Sequence, residues 1–253
     1  MVVVLTWNAN NSQRWSYLWQ NKFVLENNWE VICLQEAGNP APEWKQITGL
    51  PWGANTKLDV VFRKYTYTDL LSRSVNIIHC EWVKRQKNHT VMITKPPAYP
   101  ISIAGDVGIR PCLGVLVKLT HEDKTTKKAI LGCVHIVSSD KAAAEVQEML
   151  KFIECMVREK RADGWLLFGD FNANPNKVKQ TIGARGETTF WPGQTHRNET
   201  KYPLDYGAFN KLELLTTAKT QSLWYPADDW GSDHRMMKYE QVDGPTITFL
   251  PTL

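Results

Sequence analysis

Short apolar runs, each the length of a strand and rich in β-branched residues, recur from one end of this chain to the other. Val2–Trp7, Val31–Gln35, Leu58–Arg63, Leu113–Leu119, Ala129–Val137, Trp165–Phe168 and Leu204–Phe209 are each bounded by turn residues. Several are apolar on both faces, as expected when a sheet is covered by something on each side. No strict strand–helix alternation separates them. The expected class is α/β, with two sheets packed as a core and helices covering them.

Two segments carry helical periodicity. Gln13–Asn27 brings Trp15, Leu18, Trp19 and Phe23 near one face, and Lys141–Arg161 does the same with Val146, Met149, Leu150, Ile153 and Val157. Ser138, Ser139 and Asp140 offer cap chemistry ahead of the second helix. Arg158, Lys160 and Arg161 at its end suit the helix dipole, so this basic cluster reads as a helix terminus and not as a nucleic-acid patch. Trp82–Lys95 reads as a polar hairpin or loop, Gly183–Glu199 as an excursion between strands, and Gly244–Leu253 as a loose tail. No linker divides the chain, so residues 1–243 are expected to form one domain, with 244–253 as the tail.

Composition sets outer bounds. The 253 residues are 43% hydrophobic and 22% charged, which excludes a disordered or collagen-like chain. No apolar run approaches the ~18 residues of a membrane span, so integral membrane association is not expected. No export signal is visible at the start. The net charge of +4 permits a polyanionic partner without requiring one. Cys33, Cys80, Cys112, Cys133 and Cys155 are odd in number and lack C-x-x-C spacing, so they are expected to be free, mostly buried thiols.

Chemistry-bearing residues collect where the apolar runs end: Asn8 and Asn10, Glu36, His135, Asp170 and Asn172, Asp205, and Asp233 with His234. Strand ends feed loops, and sites are built on loops held by a rigid scaffold. Asp170 and Asn172, in GDFN, share one side if the chain stays extended, where they can orient water or a phosphate oxygen; a plain turn is the alternative. Asp233 beside His234 suits a general base near neutral pH, if the backbone turns suitably. His135 sits in an apolar run, where it is either a satisfied core residue or the second histidine of a phosphodiester site. Glu36 is a hard oxygen donor suited to Mg²⁺, or else a solvated turn residue, and Asn8 and Asp205 are similar oxygen donors. No G-x-S-x-G elbow, P-loop or G-x-G-x-x-G occurs, which leaves serine-hydrolase and nucleotide-binding readings unsupported.

Taken in order, TWN at Thr6–Asn8, QE at Gln35–Glu36, VH at Val134–His135, GDFN at Gly169–Asn172, LDY at Leu204–Tyr206 and SDH at Ser232–His234 resemble the deoxyribonuclease I-like metal-dependent phosphodiesterases. LQEAG at Leu34–Gly38, RPCLGV at Arg110–Val115 and THRNETKYPLDY at Thr195–Tyr206 resemble, within that family, the cytolethal distending toxin B subunits. The resemblance implies a four-layer α/β sandwich of two facing mixed sheets with the site at one end. It implies Mg²⁺, with Mn²⁺ or Ca²⁺ as substitutes, held by Glu36 with Asn8 nearby. His135 would be general acid on the leaving oxygen, and His234, oriented by Asp233, would take a proton from water. Asp170 and Asn172 would position water, metal or phosphate, supported by Asp205. Arg110 would contact phosphate, a surface salt bridge being its alternative. Asn10, His196 and Arg197 would bind the substrate backbone.

The resemblance implies a Mg²⁺-dependent endonuclease that nicks DNA through its phosphate backbone with low sequence specificity. It further implies the catalytic subunit of a secreted genotoxin, acting with delivery subunits in the host-cell nucleus to cause DNA damage and cell-cycle arrest. An intracellular or cytosolic place is the alternative where no signal is visible. A phosphatidylinositol-phosphate phosphatase using the same site, or a non-catalytic binding subunit, are the competing functions. Two stretches depart from the family pattern: Leu70–Ile109 does not match it, and the acid partner of His135 has no clear place, Asp59 being near the expected strand.

Overall fold

The computed structural model describes residues 2–10, 28–38, 52–55, 60–68, 74–82, 89–98, 100–103, 110, 112–138, 140–184, 186–189, 195–196, 202–210, 219–223, 232, 234–241 and 245–250. The expected helix at Gln13–Asn27 lies outside these residues, as do Asp59, Arg197 and Asp233.

The apolar runs build two mixed sheets. The first contains eight strands in the order β13-β14-β1-β2-β6-β5-β4-β3. They are β1 (Val2–Asn8), β2 (Val31–Gln35), β3 (Trp52–Asn55), β4 (Val60–Thr68), β5 (Ser74–Trp82), β6 (His89–Thr94), β13 (Lys219–Leu223) and β14 (Met236–Gln241). The second sheet follows the order β11-β12-β10-β9-β8-β15, with β7 also paired to β8. Its strands are β7 (Pro100–Ile103), β8 (Cys112–Thr120), β9 (Thr126–His135), β10 (Gly164–Asp170), β11 (Gly186–Thr189), β12 (Asp205–Asn210) and β15 (Thr246–Phe249). This is the expected α/β architecture of two facing mixed sheets.

One core lies between the sheets. Val4, Val31, Cys33 and Met237 of the first sheet meet Val115, Leu131, Cys133 and Phe168 of the second. A second core, with Leu5, Trp7, Trp29, Ile32 and Ile77, lines the other face of the first sheet. The helix α1 (Ala142–Glu159) covers the second sheet, its Val146, Met149, Ile153 and Val157 stripe packing with Ile130, Trp165, Leu167 and Phe171. Both central strand pairs are thus buried on two faces, which is why their sequences are apolar without alternation. Cutting the fully buried Ile153 to alanine would cost about 2–5 kcal/mol.

Each sheet contains one parallel pair. In β1–β2 Asn8 stands opposite Gln35, and in β9–β10 Asp170 stands opposite His135. Polar residues at the carboxyl ends of four strands therefore emerge at one end of the sandwich.

The hairpin expected at Trp82–Lys95 is formed by the antiparallel pair β5 and β6. Three expectations are corrected. Lys141, not Ser138, Ser139 or Asp140, occupies the N-cap of α1, with no side-chain cap bond, while Glu145 supplies the acid in the first turn. The stretch Gly183–Glu199 contains the edge strand β11, paired with β12. The supposed loose tail contains β15, paired antiparallel with β8, because Ile247 and Phe249 alternate inward while Thr246 and Thr248 face out. The thiols behave as expected: Cys33, Cys80, Cys112 and Cys133 are buried, Cys155 is half-buried, and all are free.

Candidate active site

At the carboxyl end of the two parallel pairs lies a cleft of about 280 Å³. The first sheet brings Asn8, Asn10 and Glu36 to it, and the second brings His135, Asp170 and Asn172. Arg110, His196 and His234 complete the predicted set in the lining, together with Ser138 and Leu204, which sequence reasoning had not singled out. A larger hollow of about 400 Å³ lies against α1 and includes Glu154, Trp165 and Asn210. There Glu154 accepts bonds from Trp165 Nε1 (3.0 Å) and Asn210 Nδ2 (2.6 Å), which makes that acid structural. The smaller cleft holds the chemistry.

The backbone is bent sharply around it. Asn10, Glu36 and Asn172 have φ near +46°, in the left-handed region. Asparagine tolerates this; glutamate does so at a cost of roughly 1–2 kcal/mol, which the surrounding structure must offset. The chain after β10 is therefore not extended, as the Asp170–Asn172 spacing had suggested. It turns, so that Asn172 N donates to Asp170 Oδ1 (2.9 Å) and Asn172 Nδ2 donates to Asp170 Oδ2 (3.0 Å). Asn172 Nδ2 also donates to Ile136 O at 2.8 Å, pinning the loop after His135. Gly169 makes the approach possible, since a Cβ there would lie 2.0 Å from Val134 O.

Of the hydrogen bonds that cross between the sheets, two join side chains of the site. Asn8 Nδ2 donates to Asp170 Oδ2 at 2.9 Å. His234 Nδ1 lies 2.9 Å from Asp205 Oδ2. A carboxylate observed beside the His234 ring is thus that of Asp205; Asp233, which the sequence proposed for that role, lies outside the described residues. Thr195 Oγ1 accepts from Leu204 N and Asp205 N, which fixes the start of β12. Ser232 Oγ donates to Asn8 O and accepts from His234 N, tying the histidine loop to β1. The His196 ring stands edge-on to His234, centroids 4.5 Å apart. His196 thereby supports the imidazole as well as lining the cleft.

His135 Nε2 faces Arg110 Nη1 at 2.5 Å, with Glu36 Oε1 at 3.3 Å and Asp170 Oδ2 at 3.9 Å. Burial first, then the positive field of Arg110 and of His234, holds the His135 imidazole well below its usual range. Its Nε2 is then an acceptor for the guanidinium. Asp170 moves the other way. Burial and the nearby Asp205 carboxylate push it up to about 7, against lowering by His234, Asn8 and Asn172.

Asp170, Asp205 and His234 each bring one ligand atom within 4.8 Å of the others. This group differs from the Glu36 and Asn8 pair that the sequence suggested for a metal. The residues fit a divalent cation on one further observation. Asp205 Oδ1 is buried and, among the described residues, has no hydrogen-bond partner, beside a carboxyl group that like charge keeps from ionising. A hard cation is what such oxygens lack.

Sequence reasoning also missed Glu145. It is buried in the first turn of α1, and its carboxylate accepts from Arg110 N (2.9 Å) and Val137 N (2.7 Å). The signal was available as an acid adjoining an apolar helical stripe, and it was read only as part of a helix.

No protein-family model and no curated protein sequence matches this chain. Solved structures do. The structure of CdtB, described as the biologically active subunit of cytolethal distending toxin, is 18% identical, with 95% of this chain and 97% of that chain covered and a TM-score of 0.70. The AP endonuclease LMAP from Leishmania major is 14% identical over 99% of this chain and 88% of that chain, with a TM-score of 0.57. The catalytic domain of Xenopus laevis APE2 is 11% identical over 98% of this chain and 93% of that chain, with a TM-score of 0.56. The chain has the deoxyribonuclease I-like fold of the endonuclease/exonuclease/phosphatase proteins. Within that fold, its sequence motifs and its structure both point to CdtB as a similar protein.

Proposed function

We propose that this protein is a metal-dependent phosphodiesterase that nicks DNA, and that it serves as the catalytic subunit of a genotoxin. The observation that carries the reading is the cleft with two differently equipped imidazoles. His234 leans on a buried carboxylate, while His135 faces a guanidinium, and a buried Asp170 stands 3.9 Å from each ring. One cleft thus offers a base and an acid on two sides of a phosphorus. The names of the similar structures, a toxin subunit and AP endonucleases, support the nuclease reading and the genotoxin role.

In this scheme Arg110 and Asn172 bind the non-bridging phosphate oxygens. Asp205 accepts the Nδ1 proton of His234 and leaves Nε2 free to take a proton from the attacking water. The new P–O bond forms as the opposite one breaks, and the leaving oxygen takes its proton from His135. Burial and the field of Arg110 keep His135 neutral in the free cleft. A phosphate anion drawn to Arg110 counters that positive field and lets the imidazole hold the proton it must donate. Asp170 and Oδ1 of Asp205, with Glu36 and Asn8, would hold Mg²⁺, which when bound would supply neutralisation of charge growing on the phosphoryl oxygens. His196 and Asn10 line the approach of the substrate strand, and Arg197 remains a proposed backbone contact. Among the described residues no helix is long and apolar enough to cross a membrane.

Nicking of supercoiled plasmid with Mg²⁺, beside EDTA and a His135→Ala protein, tests this. Metal-dependent nicking lost in the variant supports it. A folded protein that fails to nick at high concentration refutes it. Release of phosphate from phosphoinositides would then identify a phosphatase, and failure there too a binding subunit.

A further inference from the structure

The carboxylate of Glu145 is buried and does not line the cleft. Its two oxygens serve two separate pieces of chain. Oε1 accepts from the amide of Arg110, ahead of β8, and Oε2 accepts from the amide of Val137, just after β9. Those pieces carry the Arg110–His135 pair. Arg110 Nη1 also donates to Ile136 O at 3.2 Å, the residue between His135 and Val137. A buried carboxylate is costly unless it is satisfied. This one is satisfied by two N–H groups and by the positive end of α1, whose first turn it occupies. Everything that offsets its burial lies at the site.

We propose that Glu145 is a positioning residue that clamps the Arg110 segment to the His135 loop and so sets the guanidinium–imidazole spacing on which phosphate binding and leaving-group protonation depend. This rests on the phosphodiesterase reading given above. A single carboxylate accepting from both segments removes their relative freedom, which neither sheet does, because both amides lie beyond the strand ends. Glutamine is nearly isosteric but offers one acceptor where the carboxylate offers two. Glu145→Gln therefore leaves one of the two amides facing a donor.

Two measurements test this. Amide hydrogen exchange on the whole protein reads the clamp without reference to activity. In Glu145→Gln, exchange at Arg110 or Val137 is expected to accelerate about tenfold or more, and in Glu145→Ala at both, while the interior amides of α1 keep their protection. Unchanged exchange at both amides overturns the proposal. So does equal loss of protection throughout α1, which would mark a merely structural residue. The second measurement is a double-mutant cycle on plasmid nicking. Glu145→Gln is expected to lower kcat/KM about tenfold or more in the parent protein, and less than about threefold in an Arg110→Ala background. The same factor in both backgrounds overturns the proposal. A parent protein that nicks no DNA refutes the nuclease reading instead, and the exchange data still decide whether the clamp exists.

Discussion

Raising the pH from about 5 to about 7.5 without divalent cations should weaken this protein through one carboxyl group, that of Asp170. Burial and the Asp205 carboxylate push Asp170 up to about 7 in the folded chain. In the unfolded chain it ionises near 3.9. Below the lower value both states hold the proton, and the group has no effect. Between the two values the unfolded chain releases its proton while the folded chain keeps it. Stability therefore falls as pH rises, until the folded group also ionises. About three pH units at ~1.4 kcal/mol each gives a ceiling of about 4 kcal/mol, of which about 2.5 kcal/mol falls between pH 5 and 7.5. That is a large part of the ~5–15 kcal/mol that holds a domain folded. Urea unfolding at several pH values in EDTA, for the wild type and for Asp170→Asn, isolates the effect. The amide breaks the acceptor pattern toward Asn8 and Asn172, but that cost is the same at every pH and cancels in the comparison. The wild type is expected to lose about 2.5 kcal/mol relative to the variant across the range. Parallel curves for the two proteins would refute the reasoning. Mg²⁺ should stabilise the wild type more at the upper pH than at the lower, because only an ionised carboxylate rewards it.

Other perturbations have equally definite outcomes. Asp205→Asn should lower the nicking rate about 10²–10⁴-fold with little change in KM, since the imidazole loses its orienting acceptor; a rate within threefold of wild type would remove Asp205 from the mechanism. Gly169→Ala should cost about 3 kcal/mol or more, because φ is +150° and the added carbon meets Val134 O at 2.0 Å; a thermal melt within a few degrees of wild type would contradict this.

Much of this site was legible because sheet physics marks it. Apolar runs that end abruptly in Asn8, Glu36, His135 and Asp170 announce strand ends, and two parallel pairs gather those ends at one place. Partnership was less legible. Nothing in the neighbourhood of His234 in sequence says that Asp205, 29 residues away, reaches its ring. Glu145 was hidden for a related reason: helical periodicity explains the apolar stripe beside it and leaves an acid unexamined. The inward alternation of Ile247 and Phe249 was visible as period two, but a run of five residues between prolines was read as tail. Register, caps and cross-sheet pairs are decided by tertiary contacts, which local patterns do not encode.

Two of the hydrogen bonds that join the sheets, both between side chains of the site, have a mechanical consequence. Asn8 to Asp170 and His234 to Asp205 each have one partner in either half of the sandwich. Sliding one layer over the other by an ångström would break both at once while leaving every strand ladder intact. Turnover therefore reports the alignment of the two halves more sensitively than circular dichroism or a melting curve does. Enlarging or shrinking a side chain such as Leu131 or Phe168, in the core between the sheets, changes the spacing of the layers and is felt first as lost turnover.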